Sequence, residues 1–410
     1  MSASGWTGGQ YSLVRALLGL ALAVWFARLW PVAAELYSDL GVLAELSPEA
    51  TPGPLARIDD PTTARAAVAI GGVLATLFAI GFRARIAALG LHATLALLAA
   101  RNPLTADSGL DFLGLTLLFH AALPSAPYGS IDAVGRLDPR GAWRFPPALH
   151  RAAWVALAGT TLYSGVVKAF DPAWRSGTAL ERLFEGPLAA PFAIDLLAGL
   201  PPLVLAAATW SVLAFQLAFV PLARLPRARP WLWVAMALSS AAVIVLADSP
   251  DAGFGRLALL GLCFAPRWIA PLASRAPELV LYDGHCGLCH RAVRFVLAED
   301  TGAEPRFRYA PIDGATFRAT VPEALRPDLP DSVLVVTQDG ELLDRSRAAM
   351  RLGAGLGGLW RLLAAAAEAV PLALRDRAYD LVANIRHRLF PTPDEACPLL
   401  PPDLRARFDE

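Results

Sequence analysis

Every long apolar run in this 410-residue chain lies upstream of Pro271, and that confinement decides what the chain is able to fold into. Eight runs, at 13–33, 66–82, 86–100, 110–123, 152–167, 203–222, 231–247 and 257–269, read as membrane-crossing helices, although several are shorter than the roughly 20 residues a span usually needs. A further apolar stretch at 191–200 reads as an interfacial or re-entrant helix. With 55% hydrophobic residues the chain is far more apolar than a soluble domain. Only one arginine, Arg15, stands at the start of the first run and no small-residue cleavage site is present, so it reads as a retained span rather than a signal peptide.

Charges between the runs alternate in sign. Acidic residues dominate the first loop (Glu35, Asp39, Glu45, Glu49, Asp59, Asp60), while arginines fill the second (Arg83, Arg85), the fourth (Arg136, Arg140, Arg144, Arg151), the sixth (Arg224, Arg227, Arg229) and the stretch after the last run (Arg267, Arg275). By the positive-inside rule this predicts eight spans in an integral membrane protein of the bacterial inner-membrane type, with both termini and the C-terminal domain cytoplasmic. A net charge of zero gives no basic surface for a nucleic-acid partner. Four cysteines, two of them in one C-x-x-C, provide no disulfide framework.

Past the apolar region the pattern changes. The expected division is a membrane domain over 1–271, a linker at 272–277 and a small α/β domain over 278–410. Glu278 to Tyr282 reads as a buried strand, His290 to Glu299 as a helix, Arg306 to Ala310 as a strand, 315–325 as helix or turn, and Ser332 to Thr337 as a strand. Asp339-Gly340 is a hairpin signal, Glu341 to Arg345 supplies the returning strand, and Ser346 is positioned to cap the next helix. The order β-α-β-α-β-β-α is that of a thioredoxin-like core.

Asp283-Gly284-His285-Cys286-Gly287-Leu288-Cys289 falls where the first of these strands turns into the first helix, with the two cysteines one helical turn apart. A thiolate at a helix N-terminus is favoured by the helix dipole and free amides, so Cys286 is the expected nucleophile. Cys289, expected to be less exposed, resolves the mixed disulfide. His285 either stabilises the thiolate or is solvated surface; Asp283 either accepts a proton or closes the turn. Two ligand-binding readings stand beside the redox one: Cys286 to His290 also fits the C-x-x-C-H haem-attachment pattern, and zinc could be held by Cys286, Cys289, a histidine (His290 or His387) and Cys397. Two structural thiols without chemistry are the plainest reading.

Tyr282-Asp283-Gly284 with Cys286 and Cys289 resembles the thiol-disulfide oxidoreductase family named for its Asp-Cys-Cys motif. The tail Asn384-Ile385-Arg386-His387-Arg388-Leu389-Phe390 ahead of Cys397 is similar to that family's ending, and the resemblance runs from Glu278 to about Phe408. It implies a thioredoxin-like fold acting on a disulfide-bearing protein or a small thiol, with no cofactor beyond the redox-active disulfide itself, a quinone having no support in the sequence. Cys397 is either a third redox thiol or structural.

Upstream, Lys168 is the single lysine among 36 basic residues and stands at the end of the fifth apolar run. An ammonium is able to lose its proton and act as a base, but lysines at span ends also snorkel to the interface. Leu36-Tyr37-Ser38-Asp39, Arg101-Asn102-Pro103 and the run from Gly165-Val166-Val167-Lys168 to Trp174 and Gly177 resemble the horizontally transferred transmembrane domain, a relative of vitamin K-dependent γ-carboxylase, over about Tyr11 to Pro271. The resemblance implies that Lys168 occupies the place of a catalytic lysine, with Trp174 and Gly177 shaping its pocket. Gln216 stands where that family would carry an acidic residue. Three function classes follow: a membrane-bound thiol-disulfide oxidoreductase, a carboxylase-like membrane enzyme with the thioredoxin-like part as its redox partner, and a non-enzymatic thiol-binding maturation module.

Overall fold

The structure, a computed structural model, describes residues 4–42, 60–136, 138, 140–186, 189–248, 251–302, 304–389 and 402–410. It forms two compact units: residues 14–125 with 146–264, and residues 1–13, 126–145 and 265–410. The sequence boundary near 271 therefore does not coincide with the division in space, because two upstream segments and the expected linker belong with the C-terminal sheet domain.

All eight apolar runs are helical: α1 (Gly8–Leu29), α2 (Pro61–Ile80), α3 (Ala84–Arg101), α4 (Ser108–Ala122), α5 (Pro147–Phe170), α6 (Pro202–Ala223), α7 (Arg229–Leu246) and α8 (Asp251–Cys263). Local chemistry sets several ends. At α2, Asp60 accepts from the amides of Thr62 and Thr63 at 2.8 and 3.1 Å, Pro61 opens the helix, and Gly81 closes it at φ 72°. The Arg15 guanidinium donates to the Phe78 and Ala79 carbonyls, placing a cation at the same C-terminus.

Five of the described helices are long and apolar enough to cross a bilayer: Gly8–Tyr37, Pro61–Ile80, Ala84–Arg101, Pro202–Ala223 and Arg229–Leu246. The expectation of eight spans is thus carried in part. Helices α4 and α8, of 15 and 13 residues, extend only about 22 and 20 Å at the usual rise, short of a hydrocarbon core of roughly 30 Å. Helix α5 carries His150, Arg151 and Lys168. The last helix also begins six residues earlier than the apolar pattern predicts and stops at Cys263, because Ala265 precedes Pro266 and is extended (φ −124°, ψ 105°). Arg256, excluded from the sequence pattern as a charge, lies within it and donates to Ser240 at 2.8 Å. The expected helix at 191–200 is present as Pro191–Ala198. Inside this unit Leu22, Phe26, Val68, Phe78, Leu91, Leu98 and Leu117 form a closed core, while Ile70, Val155, Leu203, Trp231 and Leu238 are exposed on the outer faces. Exposed apolar faces on helices of this kind are compatible with a lipid surround.

The other unit holds a four-stranded mixed sheet. Its elements are β1 (Glu278–Tyr282), α9 (Gly287–Glu299), β2 (Phe307–Pro311), α10 (Ala315–Thr320), β3 (Leu334–Val336), β4 (Leu342–Leu343), α11 (Arg345–Leu356), α12 (Gly358–Glu368) and α13 (Leu372–Leu389). Strand order is β2-β1-β3-β4, with β1 and β2 parallel (Val280 opposite Tyr309) and the remaining pairs antiparallel (Val280 opposite Val335, Val336 opposite Leu342). The Asp339-Gly340 turn forms as expected, with Gly340 at φ 80°. Asp344 stands at the N-cap position of α11, without a side-chain capping bond, while Ser346 lies inside the helix and donates its hydroxyl to Asp376 at 2.5 Å. Gly357 and Gly358, at φ 74° and 57°, turn α11 into α12; a Cβ on Gly358 would lie 2.4 Å from the Gln10 amide oxygen.

Two contacts hold the added segments. The first is Glu299, 3% exposed, whose carboxylate accepts from the Thr7 hydroxyl, from the Gly9 amide at 2.8 Å and from the Trp360 indole at 2.7 Å. It closes the C-terminus of α9, where a negative charge is unfavourable, while capping the N-terminus of α1, where it is favourable. The second is the C-terminal segment 402–410, which runs along the free edge of β2: the Tyr309 amide donates to Arg407 O at 2.9 Å and the Asp409 amide to Tyr309 O at 2.8 Å. Phe408 stacks on Tyr309 at 5.1 Å, and Arg407 pairs with the buried Asp300. An edge covered in this way offers no template to another chain.

Replacing Glu299 by Ala leaves three donors without their acceptor and is expected to cost about 2–4 kcal/mol in denaturant unfolding of this unit. Burial pushes the Glu299 carboxyl above the usual glutamate range, more than its donors lower it. Its contribution is therefore present at acidic pH and is lost as pH rises through the raised value, and Glu299→Gln is expected to abolish that slope in the unfolding midpoint. Phe408→Ala is expected to cost about 2 kcal/mol and to promote self-association through β2, read by light scattering.

Candidate functional site

The chain leaves β1 at Tyr282 and enters α9 at Gly287, so the four residues between them must make a tight turn. Asp283 closes that turn by accepting the His285 amide at 2.8 Å through its side chain. His290, one turn into the helix, reaches back so that its Nε2 meets the Gly284 carbonyl at 2.7 Å. A carbonyl only accepts, so Nε2 carries the proton there. The ring is buried and lies edge-on to Tyr282 at 5.8 Å. Sequence reading had offered His290 only as a metal or haem ligand; its place one turn after Cys286 was the available signal for this pinning role. Among the described residues, no three His, Cys, Asp or Glu side chains gather as a metal site.

Cys286 is the N-cap of α9, extended at φ −96° and ψ 118°, and its carbonyl accepts the His290 amide at 3.1 Å. Neither it nor Cys289 is in a disulfide. The exposures run opposite to the expectation: Cys286 is 0% exposed, whereas Cys289 is partly exposed. The reason lies in the turn, which folds residues 283–285 outward and tucks the N-cap beneath them. His285 is the outermost, its side chain 80% exposed, with Nε2 3.5 Å from Asp313. It is solvated surface, paired with a carboxylate when protonated.

Cys289 lines a cavity of about 260 Å³ between the sheet and helices α9, α11 and α13. Its walls are apolar, with Val280, Leu288, Val293, Leu352 and Val382 among them. Helix α13 forms one wall and is fixed by polar contacts: Asp376 accepts the Ser346 hydroxyl and amide, Asp380 pairs with Arg345 at 3.2 Å, and the hydroxyl of Tyr379, itself a lining residue, accepts the Val333 amide at 3.0 Å. The tail motif that begins at Asn384 falls on the end of this helix, downstream of Asp376, Tyr379 and Asp380. Tyr309, fully buried, also lines the cavity, and burial raises its phenol above the ordinary range. Cys397 lies outside the described residues, as does the His387 side chain.

In the other unit Lys168 meets Trp174, whereas Gly177 packs on Ala206 and Trp210. Asp171 caps the short helix Pro172–Ser176 by accepting the Ala173 and Trp174 amides at 2.8 and 3.3 Å, and Gly177 ends it at φ 82°, packed on Trp210. The Lys168 ammonium donates to Ser164 and sits 5.1 Å from the centre of the Trp174 ring.

Comparison with known proteins bears on the sheet unit. The uncharacterized protein YuxK of Bacillus subtilis is 29% identical over 131 residues, which is 32% of this chain and 93% of that protein. A chloroplastic DCC family protein of Arabidopsis thaliana is 29% identical over 127 residues, covering 30% of this chain and 73% of that protein. No solved structure matches. Residues 280–392 match the DCC1-like thiol-disulfide oxidoreductase family, so the C-terminal part of the chain carries a DCC1-like thiol-disulfide oxidoreductase domain.

Proposed function

We propose that this chain is a membrane-anchored thiol-disulfide oxidoreductase whose C-terminal unit is thioredoxin-like and whose redox centre is Cys286 with Cys289. The observation that carries the reading is the placement of both cysteines on the first turn of α9, directly after β1, within the stretch that matches the DCC1-like family. Helix N-termini favour thiolates, and a second sulfur one turn away releases whatever the first captures. The five long apolar helices support the anchor, and the arginine-rich loops support a cytoplasmic position for both termini. The pieces resembling the horizontally transferred transmembrane domain support that type of anchor. A carboxylase-like base at Lys168 has less behind it, since donation to Ser164 and packing on Trp174 account for that side chain.

The reaction balances without a further cofactor. The Cys289 thiolate, the accessible one, attacks a substrate disulfide R–S–S–R′, forming a Cys289–S–R bond and releasing R′–S⁻. The Cys286 thiolate then attacks Cys289 Sγ and displaces R–S⁻. The two protons of the cysteine pair end on the two leaving thiols, the substrate is reduced by two electrons, and the pair becomes a disulfide. Disulfide substrate, protein-borne or small, is the partner this chemistry requires.

In the purified full chain, Cys286→Ser is expected to accumulate a mixed disulfide on Cys289, seen by mass spectrometry, whereas Cys289→Ser is expected to form none. An adduct on Cys286 in Cys289→Ser would restore Cys286 as the attacking sulfur. If neither variant forms an adduct and the native pair resists oxidation by oxidised dithiothreitol, the oxidoreductase reading fails.

A further inference from the structure

We propose that the cavity beside Cys289 binds the apolar substituent of a small organic disulfide, so that the pair reduces alkyl or aryl disulfides in preference to charged peptide disulfides such as oxidised glutathione. This deepens the redox reading above and rests on it.

Size and lining point to this ligand class. An apolar cavity of about 150 Å³ stays dry and takes up benzene, so a space of about 260 Å³ has room for a fused ring pair or a short branched alkyl group. Side chains from three strand segments and three helices supply the walls, and Cys289 contributes the one sulfur. Among the described residues no charged side chain lines it, and placing the carboxylates of a peptide disulfide against these walls would strip their hydration without a partner. The polar groups are tyrosine hydroxyls. That of Tyr379 already accepts the Val333 amide, while that of Tyr309 is buried with no hydrogen-bond partner among the described residues.

The wall formed by α13 is held by Asp376, Asp380 and the cavity-lining Tyr379, so the cavity is preformed and little ordering is needed on binding. With the apolar group R seated in it, the sulfur bonded to R lies at Cys289. The Cys289–S–R bond forms as R′–S⁻ leaves; attack by Cys286 then frees R–S⁻, and the apolar group departs with it.

Two readouts on the full chain in detergent test this. The first compares kcat/KM for 4,4′-dipyridyl disulfide and oxidised glutathione, each normalised to its reaction with free dithiothreitol. The second, in Cys286→Ser, compares alkylation of Cys289 by N-(1-naphthyl)maleimide and by a carboxylate-bearing maleimide, a measurement that needs no redox turnover. The aryl reagent is expected to win both by about tenfold or more, and filling the space at either of two lining alanines, with Ala349→Phe or, separately, Ala383→Phe, is expected to erase the preference. Equal rates for aryl and charged reagents, or a preference that survives both fillings, would overturn the cavity proposal even if disulfides are reduced. A naphthyl preference in alkylation without reduction of either disulfide would keep the cavity and reject the redox reading instead.

Discussion

The hydrogen bond from His290 to the Gly284 carbonyl fixes how the chain passes from β1 into α9, and the remaining features of the site follow from that passage. Four residues have to reverse the chain between a sheet and a helix packed on it. With Asp283 closing the outer turn and His290 drawing the loop back onto the helix, the N-cap position is forced inward. Cys286 is buried because it is that N-cap, and Cys289, three residues on, comes round to the side where the cavity opens. The difference in exposure between two cysteines of one motif is thus a consequence of backbone geometry.

A second constraint acts at the opposite end of the same helix. Glu299 ends α9 with a negative charge that the helix dipole disfavours, and the chain meets the cost by bringing the first turn of α1 against it, together with Thr7 and the Trp360 indole. Helix α9 is therefore held at its start by a local hydrogen bond and at its end by groups distant in sequence. Residues 1–13 consequently belong to the unit that contains the sheet, although hydropathy assigns α1 as a whole to the apolar part of the chain.

The legibility of the sequence divides along the range of the interactions. Period-3.6 apolar runs located all eight helices, and alternation with turn residues located all four strands in order, because those patterns are decided within a dozen residues. The start of α8 at Asp251 was missed because Arg256 and Asp251 read as charges, and the Arg256 bond to Ser240, which makes a charge tolerable there, connects two helices. Ser346 looked like a cap for the same reason: its partner Asp376 lies 30 residues downstream. The walls of the cavity depend on α13 packing against α9, and no local pattern carries that information. Motif recognition found the cysteines; the three-dimensional arrangement found which of them is reachable.

Helix α13 connects these points. Asp376, Tyr379 and Asp380 fix it to α11 and to the residue before β3, and Tyr379, Val382 and Ala383 line the cavity at Cys289. Were α13 present only to stabilise the sheet, close packing against it would be the lowest-energy arrangement, since an unfilled apolar space forfeits dispersion contacts along its whole lining. The chain instead holds the helix by polar contacts at the margin of an unfilled apolar space, the arrangement expected where the missing contacts are to be made by something else.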